Sequence, residues 1–278
     1  MVLPVYRTTA DMREQVVAWK ADGLRVGLVP TMGALHAGHL SLVSEIALHC
    51  DRIITSIFVN PAQFAAHEDL ATYPRDEAAD LTALQSTKAD CLFAPEVSEM
   101  YPDGFTTAIT LDGPALGLET DNRPHFFAGV ALIVNKLLSQ SQTDVAIFGE
   151  KDYQQLLVIR RMVRDLDLPV EILSGPIIRE LDGLAMSSRN VYLSDAQRPI
   201  AAKLNGILKA LAESAADRET AEAEAQDALI AAGFTSVDYA TIRDAETLAV
   251  PSDATTSRRA LIVARLGNVR LLDNMAAR

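Results

Sequence analysis

Cysteine is nearly missing from this sequence. Its 278 residues hold two, Cys50 and Cys91, with no CxxC pair and no ligand-like spacing. That excludes a disulfide scaffold and reads as two reduced, buried thiols of a cytosolic protein. Positive charge is short as well: 25 Lys and Arg stand against 37 Asp and Glu, a formal net charge of -12. So acidic a surface repels phosphate backbones, which argues against general nucleic-acid or anionic-membrane binding. It leaves room for a local basic pocket around a small phosphate ligand. No apolar run approaches the ~18 residues of a membrane span. The opening MVLPVYRTTADMREQ has no apolar core of the signal-peptide kind. Repeats and low-complexity tracts are absent too. What remains is ordinary globular composition, 49% hydrophobic and 22% charged, which excludes a disordered chain or a collagen. The length suits one large domain or two small ones, and either can bury a real core.

The first part of the chain alternates β-branched runs with amphipathic stretches. Residues 25–29, 53–59, 91–93, 145–148 and 170–173 read as strands. Residues 39–49, 76–87, 130–138 and 153–165 read as helices. Strands alternating with helices imply βαβ units and a mostly parallel, Rossmann-like sheet flanked by helices. Ligands of such sheets bind beyond the carboxyl ends of the strands, which directs attention to the loops at Pro30, Asn60 and Gly149. The character changes after about Ile177. Helices at 195–214 and 220–232 are followed by closely spaced β-like runs at 237–242, 260–264 and 269–272. Close spacing without intervening helices suggests antiparallel pairing. The expected organisation is an α/β domain over 1–177 and a smaller α+β C-terminal domain over 178–278. The Ala/Glu-rich stretch 212–232 reads as a solvated helix.

Four segments carry chemistry. The first is Pro30-Thr31-Met32-Gly33-Ala34-Leu35-His36-Ala37-Gly38-His39, which follows a strand and opens a helix. Gly33 and Gly38 lack a Cβ and let backbone approach a ligand. His39 falls near a helix N-terminus, where free N–H groups and the dipole favour phosphate. Two imidazoles three residues apart can both donate to that phosphate and steady the charge that develops as a P–O bond breaks. Read instead as a metal pair, they lack an obvious third protein ligand. The second segment, Asn60-Pro61-Ala62-Gln63-Phe64, offers two amides and an apolar wall, suited to a small polar acid. On its own it reads as an Asn-Pro turn with Gln63 exposed. The third is Phe148-Gly149-Glu150-Lys151-Asp152-Tyr153-Gln154-Gln155. Gly149 permits a tight turn, Lys151 supplies a point charge, and Glu150 and Asp152 suit a ribose hydroxyl or a magnesium-bound water. Acidic residues capping a helix start explain those two carboxylates equally well. The fourth, Met186-Ser187-Ser188-Arg189, sets two hydroxyls and a guanidinium in a row as an anion clamp near the domain change, able to close over a site.

Taken together and in order, PTMGALHAGH, SIFVNPAQF, YPRD, FAPEVSEMYPDG, FGEKDYQQLLVIRRMV, DGLAMSSRNVYL and LGNVRLLDN resemble the pantoate–β-alanine ligase family. That family belongs to the nucleotidylyltransferases with HxGH and KMSKS-like signatures. Here these read His36-Ala37-Gly38-His39 and Met186-Ser187-Ser188-Arg189. The resemblance covers nearly the whole chain. It implies ATP-dependent ligation of (R)-pantoate and β-alanine through a pantoyl adenylate, with ATP and Mg2+ required and AMP and pyrophosphate released. It implies that residues Met32 to His39 line the nucleotide, with His39 the family's proton donor. Gly149 to Asp152 bind ATP with Lys151 on the phosphates, Ile178 lies by the adenine, and Met186 to Arg189 form the clamp. Asn60, Gln63, Arg123 and Gln155 would hold pantoate and then β-alanine, and Asp80 would be a magnesium partner. The resemblance further implies a cytoplasmic homodimer joined through the first domain, acting on small molecules rather than nucleic acid or membrane.

Two positions depart from the family pattern. Ala62 replaces a methionine, which would enlarge the pocket if that side chain lines it. In Arg123-Pro124-His125-Phe126-Phe127-Ala128-Gly129, Phe126 takes a histidine's place and His125 lies one residue early. Two other readings compete: a different HxGH enzyme that moves AMP or CMP to a phosphate or alcohol, and a non-catalytic ATP-binding protein on this fold. The first would form a nucleotide conjugate rather than free AMP, and the second would bind ATP without turnover.

Overall fold

The computed structural model describes residues 3–65 and 68–278. β1 (Val5–Tyr6) leads through α1 (Thr9–Ala21) into β2 (Val26–Thr31), α2 (Ala37–Ile46) and β3 (Arg52–Ile57). Next come α3 (Glu77–Gln85), β4 (Cys91–Phe93), the short α4 (Val97–Met100) and α5 (Glu119–Asn122). They are followed by α6 (Phe126–Ser141), β5 (Val145–Gly149), α7 (Tyr153–Asp165) and β6 (Glu171–Gly175). The central strands are apolar on both faces, as Val26 to Val29 and Val145 to Phe148 show by being fully buried. Strands covered on both sides belong in a parallel sheet sandwiched by helices. The six strands run in the order β1-β4-β3-β2-β5-β6, and every pair is parallel. α2 lays Leu42, Val43 and Ile46 on one face with Val29, Ile53 and Ile147. α1, α6 and α7 cover the other through Met12, Val16, Val130, Val134, Leu156 and Ile159. Full burial of each such side chain contributes about 1.5–3 kcal/mol relative to exposure.

The chain winds from β2 outward to β3 and β4, then returns to the other side of β2 for β5 and β6. The order therefore reverses between β2 and β5, and a crevice opens at the carboxyl ends of those two strands.

α8 (Arg198–Glu213), α9 (Arg218–Ala232), β7 (Ser236–Asp244), β8 (Arg258–Leu266) and β9 (Val269–Ala277) complete the chain. The last three strands pair antiparallel in sequence order, and the two helices share a separate hydrophobic core with them. The alternating pattern thus anticipated both the parallel sheet and the small antiparallel unit.

Two expectations differ from the structure here, and one helix was not expected. The 212–232 stretch is not simply solvated: α9 buries Ala221, Ala225 and Leu229, and Glu222 accepts hydrogen bonds from the Thr241 hydroxyl and the Ile242 N–H. Small alanines let a helix lie close to a sheet, so a face without large residues can still be a packing face. Cys91 is buried, whereas Cys50 is only partly so. And α1 escaped detection, because only Met12 and Val16 of its thirteen residues are buried. Its one sequence signal is the cap, where the Thr8 hydroxyl accepts from Asp11 N–H at 3.1 Å.

Candidate active site

A cavity of about 1070 Å³ fills the crevice and reaches across to β8 and β9. That is the upper end of ligand clefts, with room for a nucleotide beside a second small molecule. Pro30, Thr31 and Met32, at the end of β2, line it, as do His36, Gly38 and His39 at the start of α2. Gly33, Ala34, Leu35 and Ala37 lie outside its lining, with Gly33 on a second cavity of about 310 Å³.

The two histidines form a reciprocal cap. Gly38 N–H donates to His36 Nδ1 at 3.1 Å, and His36 N–H donates to His39 Nδ1 at 3.3 Å. The ring centroids are 4.1 Å apart. A nitrogen that accepts a backbone N–H carries no proton, so each neutral ring holds its proton on Nε2. Burial first, and the Lys151 charge second, push the His36 imidazole down from 6.5 to about 4. Burial, then His36 and Lys151, push His39 down to about 3. Both are therefore neutral single donors at neutral pH. Gly38 has a specific task here: a Cβ would lie 2.9 Å from His36 Cε1 and 3.0 Å from its Nδ1.

Asp80, expected as a magnesium partner, is bonded to the backbone of the histidine loop. Its two oxygens accept the N–H groups of Ala34 (3.0 Å) and Leu35 (2.7 Å). It is 4% exposed and lies off the main cavity, bracing the loop that carries the histidines.

On the opposite wall, a 3-10 turn over Pro61–Gln63 follows β3. Gln63 is buried rather than exposed, because the turn packs against α6. Its Nε2 rests on Met32 Sδ at 3.0 Å. Arg123 and Gln155 line the same cavity, as does Asn60 at its back. Arg123 grips Glu68 with two nitrogens at 2.6 and 2.7 Å and lies 3.8 Å over the Phe126 ring.

Past β5, Gly149, Lys151 and Asp152 line the cavity while Glu150 turns away to pair with Arg259 at 3.2 Å. Gly149 makes no tight turn: its φ is -71, and nothing approaches within 4 Å of the position a Cβ would take. Asn274 of β9 donates to the carbonyls of Glu150 and Lys151 at 3.0 and 2.8 Å, so the C-terminal sheet holds this turn in place. Ile178 and Met186 are joined by a backbone bond of 2.9 Å, and both face the cavity. Ser187 caps the turn that follows, Ser188 donates to the Ala34 carbonyl at 3.2 Å, and Arg189 pairs with Asp69 at 2.9 Å. The hydroxyl clamp thus reaches directly across to the histidine loop.

The family model for pantoate-β-alanine ligase matches residues 4–276. This chain belongs to the pantoate-β-alanine ligase family. It is 54% identical to the pantothenate synthetase of Caulobacter vibrioides over 98% of both chains. It superposes on the Thermus thermophilus pantothenate synthetase with a TM-score of 0.86 and 43% identity, covering 98% of this chain and 99% of that one. The Francisella tularensis pantoate-β-alanine ligase, solved with βγ-ATP and β-alanine, gives 0.85 at 31% identity, covering 99% and 97%.

Within the pantoate-β-alanine ligase pattern, both departures acquire a structural reading. Ala62 is exposed and lies off the cavity lining, so its smaller side chain does not enlarge the pocket. Phe126 supplies the ring beneath Arg123, a cation–π contact in place of the histidine. Sequence reasoning missed Glu119, Arg270, Tyr239 and Asn274, all on the cavity wall. Glu119 and Arg270 are 151 positions apart, and no local spacing signals their contact. Arg270 and Asn274 did both fall in the matched tail LGNVRLLDN, which carried no assigned role.

Proposed function

We infer that this pantoate-β-alanine ligase family member joins pantoate to β-alanine at the expense of ATP. One observation carries the reading: His36, His39, Lys151 and the 187–189 turn share one cavity with Gln63, Arg123 and Gln155 at the switch point between β2 and β5. The pantoate carboxylate oxygen attacks the α-phosphorus, the bond from that phosphorus to the bridging oxygen breaks, and pyrophosphate leaves. The β-alanine amine, as a free base, then attacks the acyl carbon. It loses a proton, and AMP departs with the former carboxylate oxygen. Adenylation of this kind is governed by positioning and charge neutralisation.

In this reading the Nε2–H groups of His36 and His39 donate to phosphate oxygens as negative charge accumulates on the leaving group. Because both rings are neutral, they donate without first needing to be protonated. Lys151 adds a point charge, and Ser187, Ser188 and Arg189 close over the phosphates. Arg189 reaches them by exchanging Asp69 for the nucleotide. Gln63 and Gln155 hold the acid, with Arg123 near its carboxylate. The unit over 178–278 acts as the lid on the domain over 1–177, shielding the mixed anhydride from water. Its bonds from Ser188 and Asn274 to the opposing loops support that division.

The protein residues do not fit a resident metal cage. Among the described residues no three of His, Cys, Asp or Glu gather as ligands, and Asp80 is occupied by backbone. Magnesium in this reading arrives on the nucleotide as part of the substrate. No helix of the described residues is long and apolar enough to cross a membrane. We place the activity in the cytoplasm, in a homodimer joined through the first domain, which sedimentation equilibrium tests directly.

The deciding measurement is exchange of labelled pyrophosphate into ATP with magnesium and without β-alanine. Exchange that requires pantoate is expected. AMP formed only when β-alanine is also present, with no exchange, would overturn the two-step route. A nucleotide conjugate in place of AMP would point to nucleotidyl transfer, and ATP binding without turnover to a non-catalytic protein.

A further inference from the structure

The segment FAPEVSEMYPDG has no part in the site described so far. Its tyrosine ends α4, with Tyr101 N–H bonded to the Val97 carbonyl at 2.7 Å. A turn follows, closed by Phe105 N–H on the Pro102 carbonyl at 3.0 Å, with Gly104 at φ +82. That positive φ suits glycine and folds the chain back on itself. Phe105 returns edge-on to the Tyr101 ring, centroids 5.3 Å apart, and Phe58 flanks it at 6.1 Å. The ring is thereby held from two directions, and its hydroxyl points at Asn60, behind the cavity wall.

A primary amide has two unlike ends, and reversing it turns a donor into an acceptor. Two backbone groups that each allow one role only decide which end of the Asn60 amide accepts and which donates. Ala62 N–H can only donate, and it meets Asn60 Oδ1 at 3.2 Å. The Gly129 carbonyl can only accept, and it meets Asn60 Nδ2 at 3.1 Å. The second Nδ2 proton goes to Gln63 Oε1 at 3.1 Å. Gln63 therefore presents its NH2 to the cavity, where its only protein partner among the described residues is the Met32 sulfur. A thioether is a weak acceptor, easily replaced by a substrate oxygen. Oδ1 of Asn60 has lone pairs only, so the Tyr101 hydroxyl donates to it, and at 2.7 Å this is the shortest bond of the relay.

We propose that Tyr101 is a positioning residue for the acid substrate, holding the Gln63 amide, through Asn60, with its NH2 toward the cavity. Asn60 is 1% exposed, so no bulk water replaces the phenol. Without it, Oδ1 keeps a single, longer bond, and rotation about the broad side-chain torsion of an amide loosens Gln63 in turn. Burial pushes the Tyr101 phenol up to about 12, so the donor proton stays in place through the working range.

The assignment rests on Gln63 holding pantoate, and the test separates the two claims. Tyr101→Phe removes one oxygen and keeps the ring packing. In the pyrophosphate exchange assay it is expected to raise the pantoate KM by about 3- to 10-fold, the worth of one hydrogen bond. The ATP KM and kcat should stay as in the wild type. In a Gln63→Ala background the same substitution should change nothing further, since its effect passes through that amide. An unchanged pantoate KM, a parallel rise in the ATP KM, or an undiminished effect in the Gln63→Ala background overturns the Tyr101 role. A Gln63→Ala enzyme with an ordinary pantoate KM removes the reading of Gln63 itself.

Discussion

Each of the paired histidines is tethered by Nδ1 to a backbone N–H, which fixes its tautomer, while burial first and neighbouring positive charge second keep it neutral. A protonated ring would set an Nδ1–H against that N–H. The folded values, about 4 for His36 and about 3 for His39, lie below the ordinary 6.5. Between those limits the unfolded chain binds more protons than the native one. The stability gained by burying neutral rings is complete above about pH 6.5 and declines as the pH falls toward 4 and then 3. We expect the pH profile of kcat/KM for ATP to show no inflection near 6.5 from these groups. A histidine titration near 6.5, read by NMR on His36 or His39, would contradict the neutral-donor assignment. Gly38 guards the same geometry. Gly38→Ala places a methyl against the His36 ring and should lower exchange by about 100-fold, the cost of a misplacement on the order of 1 Å. Alanine favours a helix, so the melting temperature should hold. Full activity in that variant would show that the ring has another place to go. HxGH was legible because strand, glycine and helix start occur together in sequence. The tautomers were not, since they depend on which backbone N–H each ring nitrogen meets.

Secondary elements matter here through where they meet. Gly129 of α6 lies under the turn that carries Gln63, and a Cβ there would come within 2.2 Å of the Ala62 carbonyl oxygen and 2.8 Å of Gln63 N. Those are backbone atoms, so the turn itself must move. Gly129→Ala is expected to cost about 1–3 kcal/mol of stability, as overpacking does, and to raise the pantoate KM while sparing ATP. Urea denaturation and exchange kinetics measure both. A variant with wild-type pantoate KM would mean that the turn tolerates displacement. The strands and long helices were readable because apolar residues recur at the period of each element. The 153–165 helix and the 91–93 strand have the expected bounds. α4 and α5, four residues each, are too short for any period to register. Gln63 illustrates the same limit: its turn reads as solvent-facing until α6 is placed against it.

Across the whole molecule, a buried charge network fastens the two sheets to one cavity. Arg270 of β9 grips both oxygens of Glu119 at 2.7 and 2.8 Å and reaches Asp238 at 2.7 Å. The Tyr239 hydroxyl donates to Glu119 at 2.9 Å, and Arg123 stands 3.7 Å from the same carboxylate. Burial disfavours the Arg270 charge, but its carboxylate partners outweigh that and raise its pKa. No sequence period links residues so far apart, so this brace became visible only in the folded chain. Removing one partner of such a pair leaves the other desolvated, which costs more than the intact pair contributes. Glu119→Gln should therefore destabilise the protein by about 3 kcal/mol, Arg270 retaining Asp238. The exposed pair of Arg161 and Asp165, bonded at 2.7 Å, provides the control, and Asp165→Asn there should cost less than about 1 kcal/mol. Individual bond lengths in the two pairs are alike, so the difference reflects burial together with the additional partners that Glu119 holds. Guanidinium denaturation of both variants gives the comparison. Limited proteolysis across residues 176–187 reports whether the antiparallel unit has come loose. Equal losses in the two variants would mean that water reaches Glu119, and the sheets would then be held chiefly by the bonds from the Asn274 side-chain amide to the Glu150 and Lys151 carbonyls and the contacts of Ser188 and Arg189.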